Sequence, residues 1–366
     1  MKFPIICVLT IVIAMFSGVY GQVDEEFYEP GVDMDSVAFW DTLPQPDPDS
    51  VWAEGMRFLE SYQPLDLGRG ELYFPDHYSW VQGIDIDGNI AVLAGGATIE
   101  VVDIQNLTSP EPILHTEVTG NCQDVEIHGN YIFATNNTTG LEVYYYDPTV
   151  PSLTHITSYH QPADMQYRCV ELSGDRAYIS CKTGLVVLDI ENPASPSLLV
   201  YQLNPDPEPS HCYNRDLTVD GKYVFQACAN QGIVIYDFTD YDVSGDPSDI
   251  HQYQIAYCPP LYWRKASDVW VDGDYLYVAD QDNGLEVFDV SNPEECDPYC
   301  APTEVGEFPW IGHGDVKYYA RGICGTGDWV YVSSRYFDPV YQYGYLTTFD
   351  CTDPTGEIPA QQYFWD

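Results

Sequence analysis

The stretch Tyr275-Leu-Tyr-Val-Ala-Asp-Gln-Asp-Asn-Gly-Leu-Glu-Val-Phe-Asp-Val-Ser-Asn-Pro293 decides the fold. Two β-rich runs, Tyr275–Val278 and Leu285–Phe288, flank a polar turn that ends in Gly284. Asp289 closes the second run, and Asn292-Pro293 starts a new turn. Short runs of this kind, bounded by Gly, Asn and Pro, read as antiparallel strands. Just upstream, Asp268-Val-Trp-Val-Asp-Gly273 adds an alternating run whose Gly suits the positive φ of a hairpin turn.

Working outward, the unit recurs. Its first run appears again as Gly83-Ile-Asp-Ile-Asp-Gly88, Asp124-Val-Glu-Ile-His-Gly129, Cys169-Val-Glu-Leu-Ser-Gly174, Asp216-Leu-Thr-Val-Asp-Gly221 and Gly322-Ile-Cys-Gly-Thr-Gly327. The turn glycines lie 41, 45, 47, 52 and 54 residues apart. The run that ends in Asp recurs at Asp103, Asp189, Asp237, Asp289 and Asp350, with Tyr145 in the second unit. A Pro-bearing turn and a short fourth run, such as Leu198-Leu-Val-Tyr201, complete the unit. Four short antiparallel strands at this period are the signature of a propeller blade. We therefore expect an all-β protein, a β-propeller of six four-stranded blades, with seven as the alternative. Gly70-Glu-Leu-Tyr-Phe74 and Gln361-Gln-Tyr-Phe-Trp365 compete as the strand that closes the ring.

Gly184-Leu-Val-Val-Leu-Asp-Ile-Glu-Asn-Pro193 and the opening stretch resemble the LVIVD repeat of exported bacterial and archaeal proteins. The resemblance covers roughly residues 78–366. It implies a β-propeller on a secreted or surface protein. It carries over no catalytic residue.

Composition limits the partners. The 366 residues hold 57 Asp and Glu against 13 Lys and Arg, a formal net charge of −44. Yet 45% of the chain is hydrophobic and 14% aromatic, which a disordered acidic tail would lack. Nucleic acid is excluded as a partner, since phosphate binding needs clustered basic residues. Anionic lipid is disfavoured for the same reason.

The ends read differently from the middle. Lys2 followed by the apolar run Ile5–Phe16 predicts a signal peptide over residues 1–21, too short to span a bilayer. No other stretch could cross a membrane, so the expected location is secreted or at the cell surface. Residues 22–68 form an acidic, Pro-rich arm, with a short helix expected near 50–61. Residues 69–366 make the propeller. Ten cysteines remain once Cys7 leaves with the signal, and an oxidising compartment favours disulfides. Cys169 with Cys181, and Cys296 with Cys300, are the candidate local pairs.

The basic residues cluster by position. Arg168, Arg215 and Arg321 each stand six residues before a turn glycine, and Asp124, Asp216 and Asp268 stand five before. First strands line a propeller's channel, so two roles fit these residues. They could form inter-blade ion pairs, such as Arg168 with Asp124 and Arg321 with Asp268. They could instead form a channel-mouth site for an anionic group such as a carboxylate, to which Arg is suited by its bidentate geometry. The strand-terminal aspartates read as turn residues that accept backbone N–H bonds. No cofactor is expected. Calcium is the alternative, at Asp280 and Asp282, although the loop lacks the glycine register and the downstream Glu of a calcium loop. His160, His211 and His313 lie at unequal offsets. Tyr144-Tyr-Tyr146, Tyr262-Trp263 and Trp310 read mainly as packing, with sugar stacking the alternative. No HExxH, GxSxG or phosphate loop is present.

The expected function is that of a non-catalytic binding module for a protein, matrix or carbohydrate ligand at the cell surface. The alternative is an extracellular propeller enzyme, a lactonase or a polysaccharide hydrolase or lyase, with its site at the channel mouth.

Overall fold

The computed structural model describes residues 81–106, 110–161, 166–182, 184–203, 216–229, 232–239, 254–258, 266–280, 284–293, 303–308, 318–327, 329–337, 342–352 and 362–365. The expected signal peptide, the arm with its helix, and Gly70–Phe74 lie outside the described residues.

The chain runs through one continuous sheet and then four four-stranded sheets. The continuous sheet holds β1 (Gly83–Asp87), β2 (Ile90–Asp103), β3 (Glu111–His128), β4 (Tyr131–Asn136), β5 (Gly140–Asp147) and β6 (Ser152–Tyr159). Its two longest strands each serve twice. Residues Ile90–Ala94 of β2 pair with β1, and the rest of β2 pairs with β3. The end of β3 then pairs with β4 through Cys122–His128. This sheet therefore contains the first two four-strand units.

The third unit is β7 (Tyr167–Ser173), β8 (Arg176–Cys181), β9 (Gly184–Asp189) and β10 (Ser197–Leu203). The fourth is β11 (Asp216–Asp220), β12 (Tyr223–Ala227), β13 (Ile233–Asp237) and β14 (Gln254–Cys258). The fifth is β15 (Ala266–Asp272), β16 (Tyr275–Asp280), β17 (Gly284–Asp289) and β18 (Thr303–Phe308). The sixth is β19 (Tyr318–Thr326), β20 (Trp329–Phe337), β21 (Gln342–Asp350) and β22 (Gln362–Trp365). The C-terminal run Gln361–Trp365 thus supplies the fourth strand of the last unit, paired to β21. Each of the six quoted segments forms a first strand. Among the described residues, no helix is long and apolar enough to cross a membrane.

The turn glycines behave as their sequence context requires. Gly88, Gly129, Gly174, Gly221, Gly273 and Gly327 have φ between +55° and +61°. A side chain there would have to adopt the left-handed conformation that glycine tolerates.

The core lies between units, because alternate side chains of each strand face opposite neighbours. Phe133, Leu141 and Val143 of the second unit pack with Tyr167, Ile179 and Cys181 of the third. Cys169, Tyr178 and Leu185 of the third unit pack with Leu217, Val224 and Tyr236 of the fourth. The same arrangement joins the fourth unit to the fifth, the fifth to the sixth, and the first to the second. This layout overturns one expected disulfide. Cys169 and Cys181 sit on opposite faces of the same sheet, one in each neighbouring core layer, and so cannot bond to one another. Cys296 and Cys300 lie outside the described residues.

The strand-terminal aspartates are turn residues. Asp103, Asp189, Asp237 and Asp289 each accept the backbone N–H two residues on, at 2.7 to 2.9 Å. In the second unit β5 runs two residues longer, and Asp147 takes this role at 2.8 Å in place of Tyr145.

Candidate functional site

Four of the six first strands, β3, β7, β15 and β19, carry a β-bulge at a fixed place. Pairing shifts between Cys122 and Asp124, Tyr167 and Cys169, Ala266 and Asp268, and Ala320 and Gly322. The residue skipped is Gln123, Arg168, Ser267 or Arg321. Arg168 and Arg321, two of the candidate arginines, therefore stand at the bulge itself. A bulge leaves backbone groups outside the ladder and re-aims the side chain that follows. Neighbouring side chains take up those groups. Thr135 Oγ1 donates to the Arg168 carbonyl oxygen at 2.6 Å, and the Gly322 N–H donates to Ser333 Oγ at 2.9 Å.

The residue after the bulge reaches the next blade. Asp124 Oδ2 accepts the Val170 N–H at 2.9 Å, and Asp268 Oδ2 accepts the Ile323 N–H at 2.7 Å. Two positions further along the first strand, Asp85 Oδ2 accepts the Ile127 N–H at 2.7 Å. The Cys169 thiol donates to Asp216 Oδ1 and accepts the Leu217 N–H. Gly83 leaves room for Asp124: a Cβ there would lie 2.3 Å from the Asp124 Cα.

Together the six first strands enclose a cavity of about 590 Å³. Asp124, Asp216 and Asp268 all line it, as do Glu126, Glu171 and Cys169. The three aspartates singled out by repeat position are therefore brought together. Arg168 is half-buried and Arg321 exposed, and neither is in the lining. Arg215 lies outside the described residues. Sequence reasoning missed Asp85, Glu126 and Glu171. The signal was there, since all three stand three residues before a turn glycine in consecutive units.

This crowding sets the charge state. Burial, reinforced by Asp216, pushes the Asp124 carboxyl up to about 8 despite the Val170 and Val125 N–H groups and the Cys169 thiol that hold it down. Burial and the neighbouring acids push Glu171 up to about 8. Glu126 and Asp268 are raised well above the carboxylate range, by burial first and then by Asp85 and Asp216 respectively. A guanidinium beside Asp124 or Asp268 would act in the opposite direction. Burial and the neighbouring acids outweigh any such influence on Asp124 and Asp268.

One aromatic ring joins the acids. Trp270 lines the cavity, tilted on Tyr277 at 5.1 Å between centroids. Its ring passes over Gly325, where a Cβ would come within 2.2 Å of it. Tyr144 and Tyr146 are buried and pack between the first two units. Tyr262, Trp263 and Trp310 lie outside the described residues.

The other candidates are placed plainly. Asp280 is buried at the end of β16, where the second unit has Asn136. Asn136 caps its hairpin by accepting the Thr138 N–H at 2.9 Å. Asp282 lies outside the described residues. Among the described residues, no group of three His, Cys, Asp or Glu side chains is placed to hold a metal ion. A Glu–His–Ser cluster sits away from the channel, with His155 Nε2 2.6 Å from Glu142 Oε2 and 3.0 Å from Ser158 Oγ. One ring nitrogen meets both partners, so the imidazole is not oriented by one group to act on the other, as a nucleophile–base–acid relay requires.

The family model for the LVIVD repeat matches residues 168–201 and 263–297. Two segments of the chain thus match the LVIVD repeat. The first LVIVD match starts at the bulge residue Arg168 and runs through β10. The second contains β15, β16 and β17, the stretch on which the fold was first read. No protein of curated function matches the chain. Among solved structures, a Lactobacillus plantarum protein superposes with a TM-score of 0.58 at 15% identity, over 78% of this chain and 88% of that one. The β-propeller domain of Cps50 from Myceliophteria thermophila gives 0.54 at 12%, over 78% and 88%. A proposed 6-phosphogluconolactonase from Bacteroides fragilis gives 0.57 at 14%, over 78% and 87%. At these identities the likeness shows the fold alone, and that fold is the β-propeller.

Proposed function

We propose that this LVIVD-repeat propeller is an exported, non-catalytic binding module that takes a carbohydrate or protein ligand at the cell surface. One observation carries this reading. Asp85, Asp124 and Asp268 of the first strands each accept an N–H of the next blade, and Asp216 accepts the Cys169 thiol. A hydrolytic site needs an acid and a base aimed at one open point in the cavity. Here the acids act as joints.

The lining also bears on the ligand. The lining is rich in carboxyls and, among the described residues, holds no Lys or Arg to meet a phosphate or carboxylate, which counts against a phosphosugar lactone as substrate. An indole in an acidic wall favours a neutral or basic sugar or a basic peptide segment. An anionic ligand would have to be met at Arg168 or Arg321 instead, outside this lining. Export rests on the sequence of residues 1–21 and on the acidic composition.

A glycan array probed with the full chain tests the proposal, with Trp270→Ala and Arg215→Ala compared. We expect retention of neutral or amino sugars, weakened by Trp270→Ala and unaffected by Arg215→Ala. Turnover of a lactone or polysaccharide by the wild type, lost in Asp216→Asn, would sink it.

A further inference from the structure

The units do not all meet their neighbours alike. In the second to fifth units, alternate side chains of the second strand divide between two core layers. Ala177 and Ile179 of β8 face the second unit, and Tyr178 faces the fourth. In the first unit, Val92 and Ala94 of β2 face the second. Ala91 and Leu93 face the other way, with Val81, Val102 and Ile104. These five side chains are at most 7% exposed. Every other apolar layer takes residues from two units, whereas this one takes them from the first unit alone.

The sixth unit does not supply the missing half. Val330 and Val332 of β20 face the fifth unit, and Tyr331 and Ser333 are buried on the opposite side. First strands lie beside one another from β1 and β3 through to β15 and β19, but among the described residues no comparable contact joins β19 to β1. Five residues before the turn glycine, these two units alone carry a glycine, Gly83 and Gly322. The sixth first strand therefore has no side chain there to take an N–H of a following blade, as Asp124 and Asp268 do.

Glu100 shows what the cover must bring. It shares the side of Val102, is 3% exposed, and its Oε2 meets no hydrogen-bond donor among the described residues. At the equivalent place in the second unit, Glu142 Oε2 meets His155 Nε2 at 2.6 Å. A carboxyl buried without a partner is costly, and burial pushes Glu100 up to about 6. The chain leading into the layer can supply the partner. Val81 belongs to the layer, and the Gln82 N–H donates to the Ala94 carbonyl oxygen at 2.7 Å. Residues 22–80 therefore arrive at this face. They outnumber the 41 to 54 residues between turn glycines, include Trp52, Phe58, Leu59 and Phe74, and hold Arg57 and Arg69 as their only Lys or Arg. The other end of the chain, Gln362–Trp365, is already paired to β21. We propose that residues 22–80 pack between the sixth and first units, covering Ala91, Leu93, Val102 and Ile104 and bringing an arginine to Glu100.

A photoreactive benzophenone side chain placed at Ile86, half-buried against the same layer, tests this in the full chain. We expect cross-links to residues 22–80 of the same molecule. Cross-links to any other unit, or between two molecules, would overturn the proposal. Thermal unfolding reads the arginine. At least one of Arg57→Gln and Arg69→Gln should lower Tm, and that loss should disappear in a Glu100→Gln background. No loss from either, or a loss that persists in that background, would contradict the pairing. If the labelled variant does not fold, amide exchange of the wild type decides. Residues 22–80 should hold protected amides, and exchange at the unfolded rate throughout that stretch would contradict the cover.

Discussion

Asp124 shows what one residue contributes here. Its carboxyl holds the Val170 N–H of the next blade, yet burial and Asp216 raise it to about 8. The sign follows from linkage. Below about pH 4 folded and unfolded chains both hold the proton, and the contribution to stability is complete. Between there and about 8 only the folded chain keeps it, so stability falls as pH rises and levels off above the folded value. Asp124→Asn keeps an oxygen for the Val170 N–H and removes the ionisation. It should raise Tm at alkaline pH by several degrees and converge with wild type near pH 4, at roughly 2–4 °C per kcal/mol for a domain of this size. Gly83 is the complementary case. A methyl there would overlap the Asp124 Cα, which is backbone and cannot swing away. Gly83→Ala should cost about 1–3 kcal/mol, typical of overpacking, read as a lower denaturation midpoint. Neither residue's role was legible from its type. Asp124 was found by its repeat position, but whether it met an arginine or another acid depended on the bulge. A bulge moves a side chain by one register step and leaves no mark in a single repeat's composition.

At the level of elements, the third strand and its turn were fully legible. The Asp that ends the strand accepts the N–H two residues on, as its context predicted, and Ser291 adds its hydroxyl to Asp289 at 2.6 Å. Those bonds lower the Asp289 carboxyl below its ordinary value. The stability they give is present above the unfolded value and lost as pH falls through the lowered one. Asp289→Ala should lower Tm slightly, by no more than the effect of one exposed hydrogen bond, while Asp289→Asn should stay close to wild type. Urea unfolding of the pair would read the difference. The first strands were half legible. Their alternation and turn glycines gave the strands and their order, and the aspartates five residues before the turn glycine marked the channel. The bonds from one first strand to the next were invisible, because they join residues some forty to fifty apart through side chains that also fit solvent-facing turns. The disulfide expected between Cys169 and Cys181 failed for a related reason. Proximity in a hairpin says nothing about face, and alternation puts these two in different core layers.

For the whole molecule, the charge of −44 and the acid-lined channel are parts of one arrangement. A rigid ring of acidic blades repels itself, and salt screens exposed charge over a Debye length of about 10 Å at 0.1 M. We expect Tm to rise as sodium chloride is added from about 0.01 to about 0.5 M. The sequence made the propeller plain through its period, and made the acidic surface plain through its composition. The state of the channel acids was not legible, since composition counts carboxyls without saying which keep their protons. The central claim is that first-strand acids join the blades and line the channel while keeping their protons well above the ordinary carboxylate range. A carbon-13 NMR titration of the Asp and Glu carboxyls in the full chain measures this directly. It should show a small set of carboxyls, Asp124 and Glu171 among them, with midpoints near 8, the Asp124 signal vanishing in Asp124→Asn. A titration in which every carboxyl ionises below about pH 5 would contradict it.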